Sequence, residues 1–292
     1  MTIVPNVLGV VLAGGMGSRL RPVTTSINKH LLNVNNKPMI YYPISTLMLA
    51  GIRDILIIST PESIPMFRKL LGDGGNLGLR IDYGSQPEPK GVADALNVAK
   101  KLNRFGKIAL ILGDNIFHGT ELGGYLANYA NVSGAQIFAY EVNNPEEYGV
   151  IEIDNEGRPM NLIEKPTNPN TKLAVTGLYF FDEYATKYVE ELMPSARGEI
   201  EITDLNKIYL NKKELKVKIL PRGTMWLDMG TFENLSSAAS YIKSVEDRQG
   251  LQIACLEEIS LNQGWISKNQ LKSNLAYYKG TDYGNYLKKL VR

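Results

Sequence analysis

The sequence predicts an α/β protein built on a Rossmann-like mixed, mostly parallel sheet flanked by helices. Short apolar runs rich in β-branched residues recur at 7–13, 54–60 and 107–112, the pattern of parallel strands buried on both faces. Segments with helical spacing lie between them at 42–51, 64–71 and 92–102. A glycine-rich break at 14–20 follows directly on the first run, where an open α/β sheet presents its ligand-binding end.

Each element has its own signal. The break at 14–20 holds too many glycines to continue as strand or helix. Ile44, Leu47, Met48 and Leu49 give 42–51 its helical spacing, and Gly51 suits the helix end. A short strand is expected at 80–83, an alanine-rich helix at 92–102, and the strand at 107–112 ends at Gly113 and Asp114. Strand, helix, strand alternation requires right-handed crossovers. It places the loops after Ala13 and Leu112 at one edge of one cleft. In the second half strands are predicted at 136–142, 149–153, 174–181 and 217–220, and helices at 183–192, 201–210 and 234–247. From 249 onward only helices and turns are expected, and without repeats or a linker the chain reads as one compact domain with a C-terminal extension.

Composition narrows the function. The 292 residues carry 32 Lys plus Arg against 30 Asp plus Glu, which argues against a nucleic-acid partner. Cys255 is the single cysteine and His30 and His118 are the two histidines, so an intramolecular disulfide, a multi-thiolate site and a histidine-rich metal centre are excluded. No apolar run approaches a membrane span and the first residues lack a signal-peptide pattern. A cytoplasmic enzyme or binding protein is expected.

Gly14, Gly15, Gly17, Ser18 and Arg19 follow a strand, where a phosphate cradle belongs. Glycines let backbone N–H groups approach phosphate oxygens, and Arg19 adds a forked cation that a tight turn alone does not need. The dinucleotide-binding fingerprint fails at Leu20, and the P-loop lacks its Gly-Lys-Ser/Thr. Lys29 lies ten residues beyond Arg19 and is followed by Lys37, Pro38 and Met39. A lysine suits a pyrophosphate leaving group, although a lone lysine is usually a solvated surface residue.

The ordered set of glycine loop, Pro22, Thr24, Lys29 and 37–39 resembles the sugar-1-phosphate nucleotidyltransferases. The resemblance covers nearly the whole chain, through 39–43 (MIYYP), 45–52 (STLMLAGI), 113–117 (GDNIF), 164–166 (EKP), 175–179 (VTGLY), 194–204 (PSARGEIEITD), 226–228 (WLD) and 246–251 (EDRQGL). It is strongest to the members that join dTTP to α-D-glucose 1-phosphate, giving dTDP-glucose and pyrophosphate for dTDP-rhamnose or a related deoxysugar. The resemblance implies a nucleotidyltransferase core over 1–240 and a mainly helical extension over 241–292 that serves as an oligomer or regulatory interface, the long bacterial forms being homotetramers.

It also implies roles. Asp114 and Asp228 would hold Mg²⁺ against the nucleotide phosphates, oxygen ligands being what that ion takes. Arg19, Lys29 and Lys165 would complete the catalytic set. Leu12, Gly14, Gly15, Gly17, Ser18, Arg19, Gln86 and Gly91 would bind the nucleotide, Gln86 offering donor and acceptor to a pyrimidine edge. Asn115, Tyr148, Gly149, Glu164, Lys165, Val175, Tyr179, Arg197 and Trp226 would line the sugar-phosphate side, though Val175, Tyr179 and Trp226 are residue types that strands usually put in the core. A second, regulatory nucleotide site would draw on Gly119, Arg222, Glu257, Glu258 and Ile259.

The chain departs from the family pattern at Asn33, Lys90, Asp94, His118, Met229 and Asn262. His30, where glutamine is common, reads equally as a phosphate contact or a satisfied structural histidine. Two alternatives stand beside the leading reading: the same chemistry with UTP or another sugar 1-phosphate, and a nucleotide-sugar-binding regulatory homologue without turnover.

Overall fold

The computed structural model describes residues 6–88, 90–102, 106–120 and 122–292. Its strands are β1 (Val7–Leu12), β2 (Asn33–Val34), β3 (Lys37–Pro38), β4 (Asp54–Ser59), β5 (Arg80–Ser85), β6 (Lys107–Leu112) and β7 (Asn115–His118). The second half adds β8 (Ala135–Glu141), β9 (Gly149–Ile153), β10 (Pro159–Glu164), β11 (Leu173–Phe181), β12 (Leu215–Ile219) and β13 (Met225–Asp228). Helices are α1 (Tyr41–Leu49), α2 (Ile64–Leu71), α3 (Asp94–Lys100), α4 (Leu122–Ala127), α5 (Ala185–Tyr188), α6 (Ile202–Asn211) and α7 (Phe232–Gln249). Three more, α8 (Leu256–Asn262), α9 (Lys268–Asn274) and α10 (Asp282–Leu290), end the chain.

Nine strands share one sheet, with β5, β4, β1 and β6 parallel and side by side in that order. The alternation of β1 explains its continuous apolar sequence: Val7 and Val11 enter one core cluster while Leu8 and Val10 enter the other. Gly9 sits where α1 crosses β1, and a Cβ there would come within 2.8 Å of Leu47 Cδ1. β4 and β6 flank β1 on opposite sides, so its carboxyl end is the switch point at which such sheets bind ligands.

The sheet is less parallel than the sequence predicts. β11 runs antiparallel to β6, β8 and β9, and β10 antiparallel to β9, while β12 returns parallel to β8. β10 was not expected, since it begins at a proline and alternates too weakly in polarity to read as a strand. The expected helix at 92–102 is shorter, as α3, and 183–192 resolves into α5 and a 3₁₀ turn at Val189–Glu191.

Two short ribbons lie outside the sheet, β2 with β3 and β7 with β13. A third core cluster, including Val34, Met39, Tyr42, Ile116, Met229, Ala238 and Ile242, packs both against α7. α7 runs continuously through residue 240. Beyond it, Lys37 of β3 is fully enclosed, its ammonium donating to Asn36 Oδ1 (2.6 Å), Gln252 Oε1 (2.7 Å) and Glu246 Oε1 (2.9 Å). That lysine fastens the start of the extension to the core.

Candidate active site

The chain leaves β1 through Ala13 into residues 14–17. Gly17 has φ +59, and a Cβ on it would lie 3.0 Å from Thr24 Cγ2 and 3.1 Å from Lys29 Cβ. Glycine is required there for conformation and for space. Asn28 ties the loop down: its Nδ2 donates to Ala13 O (3.0 Å), and its Oδ1 accepts from His30 N (2.9 Å) and His30 Nδ1 (2.7 Å). Burial, reinforced by the Lys29 charge, pushes His30 down to about 3. With 1% of its surface exposed and its Nδ1 engaged by Asn28, His30 has a structural role in holding the turn.

The same turn aims Lys29. Its ammonium pairs with Asp114 Oδ2, and a Cβ on Gly15 would lie 3.4 Å from Lys29 Cε, so the side chain bridges the glycine loop and the end of β6. Lys37 lies outside this site, held by Glu246.

The β7–β13 ribbon sets the two aspartates together. Asp228 stands opposite Asn115 in the register, and Met229 N donates to Asp114 O at 2.9 Å. Burial alone would raise Asp114, yet the Lys29 charge and hydrogen bond, with Asn115 Nδ2 at 3.1 Å, hold it down at about 2. Asp228 goes the other way, pushed up to about 6 by burial and by the Asp114 charge against the pull of Lys29 and Arg19. Its Oδ1 is buried and takes no hydrogen bond. An orphaned carboxylate oxygen beside a second carboxylate fits a hard divalent cation. Among the described residues no group of three or more His, Cys, Asp or Glu side chains is arranged to hold a metal, so such a cation would rely on water and phosphate oxygens as well.

A cavity of about 220 Å³ opens beside Asp228 and Arg19. All nine residues expected on the sugar-phosphate side line it: Asn115, Tyr148, Gly149, Glu164, Lys165, Val175, Tyr179, Arg197 and Trp226. Asn115 is its structural hub, the side-chain oxygen accepting from Trp226 Nε1 (2.6 Å) and Gly177 N (3.1 Å). Trp226 makes an edge contact with Tyr148, ring centroids 5.2 Å apart. Lys165 has φ +43, a left-handed backbone rare for a non-glycine residue.

Glu164 accepts from Thr203 Oγ1 at 2.6 Å, and Arg197 forks onto Glu201 at 3.2 and 2.9 Å. Arg197 is 46% exposed at the cavity mouth. Sequence reasoning took only Arg197 from the 194–204 segment and missed Glu201, Thr203 and Asn206, which line the same cavity. Glu201 four residues after Arg197, and Asn206 one helical turn after Thr203, were the available signals.

On the side expected to take the nucleotide, Gly14 and Gly15 line a second cavity of about 450 Å³ with Thr24, Asn28, Thr60 and Ser63. Leu12 ends β1 two residues before Gly14, and Ser18 and Arg19 begin the turn that follows Gly17, Arg19 lining the first cavity. A Cβ on Gly14 would lie 3.4 Å from Gln86 Oε1. Gly91, with φ +100, packs so tightly on the Ile200 backbone that a Cβ would sit 2.4 Å from its carbonyl oxygen. Ile200 N donates to Lys90 O (2.8 Å), and Ala93 N to Ile200 O (3.2 Å), so the Gln86 loop and the Arg197 loop are stitched together.

The residues expected at a regulatory site have other engagements. Glu257 is 4% exposed and accepts from Tyr278 Oη (2.6 Å) and Tyr283 Oη (2.5 Å), while Glu258 accepts from Tyr286 Oη (2.7 Å). Ile259 packs on the core, Gly119 against Thr224, and Arg222 is exposed in the turn before β13. His118 Nδ1 lies 3.0 Å from Tyr241 Oη, and Met229 is fully buried beneath α7. Within the chain, the carboxylates of Glu257 and Glu258 therefore hold α10 and its approach.

The description of the nucleotidyl transferase family matches residues 8–245. A glucose-1-phosphate thymidylyltransferase of Neisseria gonorrhoeae is 48% identical over 284 residues, covering 97% of this chain and 99% of that protein. Its counterpart in Mycobacterium tuberculosis strain H37Rv is 48% identical over 283 residues, covering 97% and 98%. Among solved structures, a Bacillus anthracis protein in complex with sucrose superposes with TM-score 0.74 at 38% identity, over 80% of this chain and 94% of that one. A UDP-glucose pyrophosphorylase complexed with UDP-glucose, at 24% identity and TM-score 0.71, shares the fold over 82% of this chain and 99% of that one.

Proposed function

The chain belongs to the nucleotidyl transferase family, and from that premise we propose that it is a glucose-1-phosphate thymidylyltransferase, converting dTTP and α-D-glucose 1-phosphate to dTDP-glucose and pyrophosphate. The observation that carries the reading is the single cavity in which Glu164, Lys165, Tyr179 and Arg197 gather beside Asp228 and Arg19. Support for the substrates comes from relatives of that activity at 48% identity along nearly their whole length.

No protein nucleophile is needed, because a phosphate oxygen of the sugar 1-phosphate is already anionic and attacks the α-phosphorus in line as pyrophosphate leaves. The residues work by positioning and charge. The glycine loop and Arg19 hold the triphosphate, and Lys29 exchanges its Asp114 partner for phosphate oxygens. Lys165 and Arg197 hold the sugar phosphate, while Glu164, Asn115 and Tyr179 face the hydroxyls. Asp114 and Asp228 would hold Mg²⁺, which neutralises phosphate charge when bound.

Four copies associated through the 241–292 extension, acting in the cytoplasm, complete the proposal. No helix among the described residues is long and apolar enough to cross a membrane. Thymine and uracil offer Gln86 the same edge, so UTP is the second reading. Pyrophosphate release from dTTP, UTP and dCTP, each with a panel of sugar 1-phosphates and with or without Mg²⁺, tests all of this. Higher kcat/KM for UTP reassigns the nucleotide, and no release with any pair returns the non-catalytic homologue. A solution mass of one chain removes the tetramer.

A further inference from the structure

Gln86 is 6% exposed, and its amide is not free to turn. Nε2 donates to Asp94 Oδ2 at 2.8 Å and lies 3.5 Å from Gly91 O. Asp94 is itself held by Asn97 Nδ2, which donates to Oδ1 at 3.1 Å. A carboxylate only accepts hydrogen bonds, so the end of the glutamine that meets Asp94 has to be the NH₂ group. This settles an orientation that the glutamine's own shape leaves ambiguous. Oε1 then accepts no hydrogen bond from any described residue and faces Gly14, the start of the phosphate loop.

We propose that Asp94 is a positioning residue for base selection: it locks Gln86 so that a lone acceptor meets the nucleotide base. An acceptor at that point matches the N3–H of thymine or uracil and opposes cytosine, whose N3 is itself an acceptor. A mismatch leaves two buried acceptors facing each other without a proton, which is the costly arrangement. Asp94 is one of the positions at which the chain departs from the family pattern, and the lock rests on the proposed reading of Gln86 as the base contact.

Asp94→Asn keeps size and shape but accepts or donates equally, so Gln86 gains its second orientation. The measurement is kcat/KM for dTTP and for dCTP at saturating glucose 1-phosphate, with KM for the sugar phosphate and the melting temperature recorded alongside. The dTTP to dCTP ratio is expected to fall about tenfold or more, with KM for glucose 1-phosphate unchanged. Asp94→Ala, which frees the amide entirely, should lower the ratio similarly. Gln86→Leu separates the two levels of argument, since it should depress dTTP turnover whichever way the lock works. An unchanged ratio in both Asp94 variants, with Gln86→Leu impaired, overturns the lock. Unaltered dTTP kinetics in Gln86→Leu overturns the base contact on which the lock rests.

Discussion

Lys37→Met should unfasten the C-terminal extension without touching catalysis. The lysine is 2% exposed and uses all three ammonium hydrogens, on Asn36, Gln252 and Glu246. Burial lowers its basicity, and the hydrogen bond and charge of Glu246 oppose that fall. Removing it leaves the Glu246 carboxylate, 5% exposed, with only amide donors from Asn35, Asn36 and Ile253. Breaking a buried pair by deleting one partner costs about 3–5 kcal/mol, which at roughly 2–4 °C per kcal/mol lowers Tm by about 10 °C. Lys37→Met/Glu246→Gln removes the stranded charge while keeping an acceptor for Ile253 N, and should recover at least half the loss. Thermal and urea unfolding of the three proteins, with kcat/KM measured well below the transition, decide the matter. A loss under about 1 kcal/mol, or a double variant no better than the single, refutes the energetic argument. A fall in kcat/KM with stability intact would instead put Lys37 in the phosphate site that its sequence neighbours suggest.

Other perturbations probe the site directly. Asp228→Asn should abolish most activity yet stabilise the metal-free protein at pH 8 by up to about 3 kcal/mol. Here the folded pKa is raised, from 3.8 to about 6, so the wild type bears the full cost of the buried charge above pH 6 and none below pH 3.8; melting curves in EDTA should show the advantage shrinking towards pH 4. Thr203→Val deletes the 2.6 Å donor to Glu164 and should raise KM for glucose 1-phosphate several-fold with little change in KM for dTTP, which steady-state kinetics will show. Trp226→Phe removes the bond to Asn115, with an expected loss of about 1 kcal/mol in urea unfolding. Gly91→Ala meets both a φ of +100 and the Ile200 carbonyl, so a loss of 2 kcal/mol or more is expected from the same measurement.

The parts of the fold that the sequence foretold are those decided by burial. β1, β4 and β6 are apolar on both faces because both faces are covered, and that pattern survives in the bare string of residues. β10 carries polar and half-exposed side chains, and β7 and β13 are four residues each with partners more than 100 positions away, so local pattern holds no trace of their pairing. The site divides in the same way. Asp114, Lys29 and most of the cavity residues sit in motifs whose residue types suggest their chemistry, whereas the parts played by Asn28, Thr203 and Glu246 are hydrogen bonds made only after folding, which no residue type foretells, even though Thr203 and Glu246 fall within motifs. Lys37 shows the converse: it occupies a motif position, and its charge is directed away from the cleft.

The placement of α7 bears on how far this enzyme can be cut down. Ala238 and Ile242 share a core cluster with Ile116 of the β7–β13 ribbon and with Met229 just beyond it, next to Asp228. An isolated two-stranded ribbon is marginal in water, so the helix is the floor on which the acidic pair rests. Ending the chain at residue 240 would sever α7 midway, removing Ile242 and Glu246 together. A shortened version intended for engineering or fusion should therefore keep the whole helix through Gln249, although none of its residues lines the cavity that holds Glu164 and Arg197.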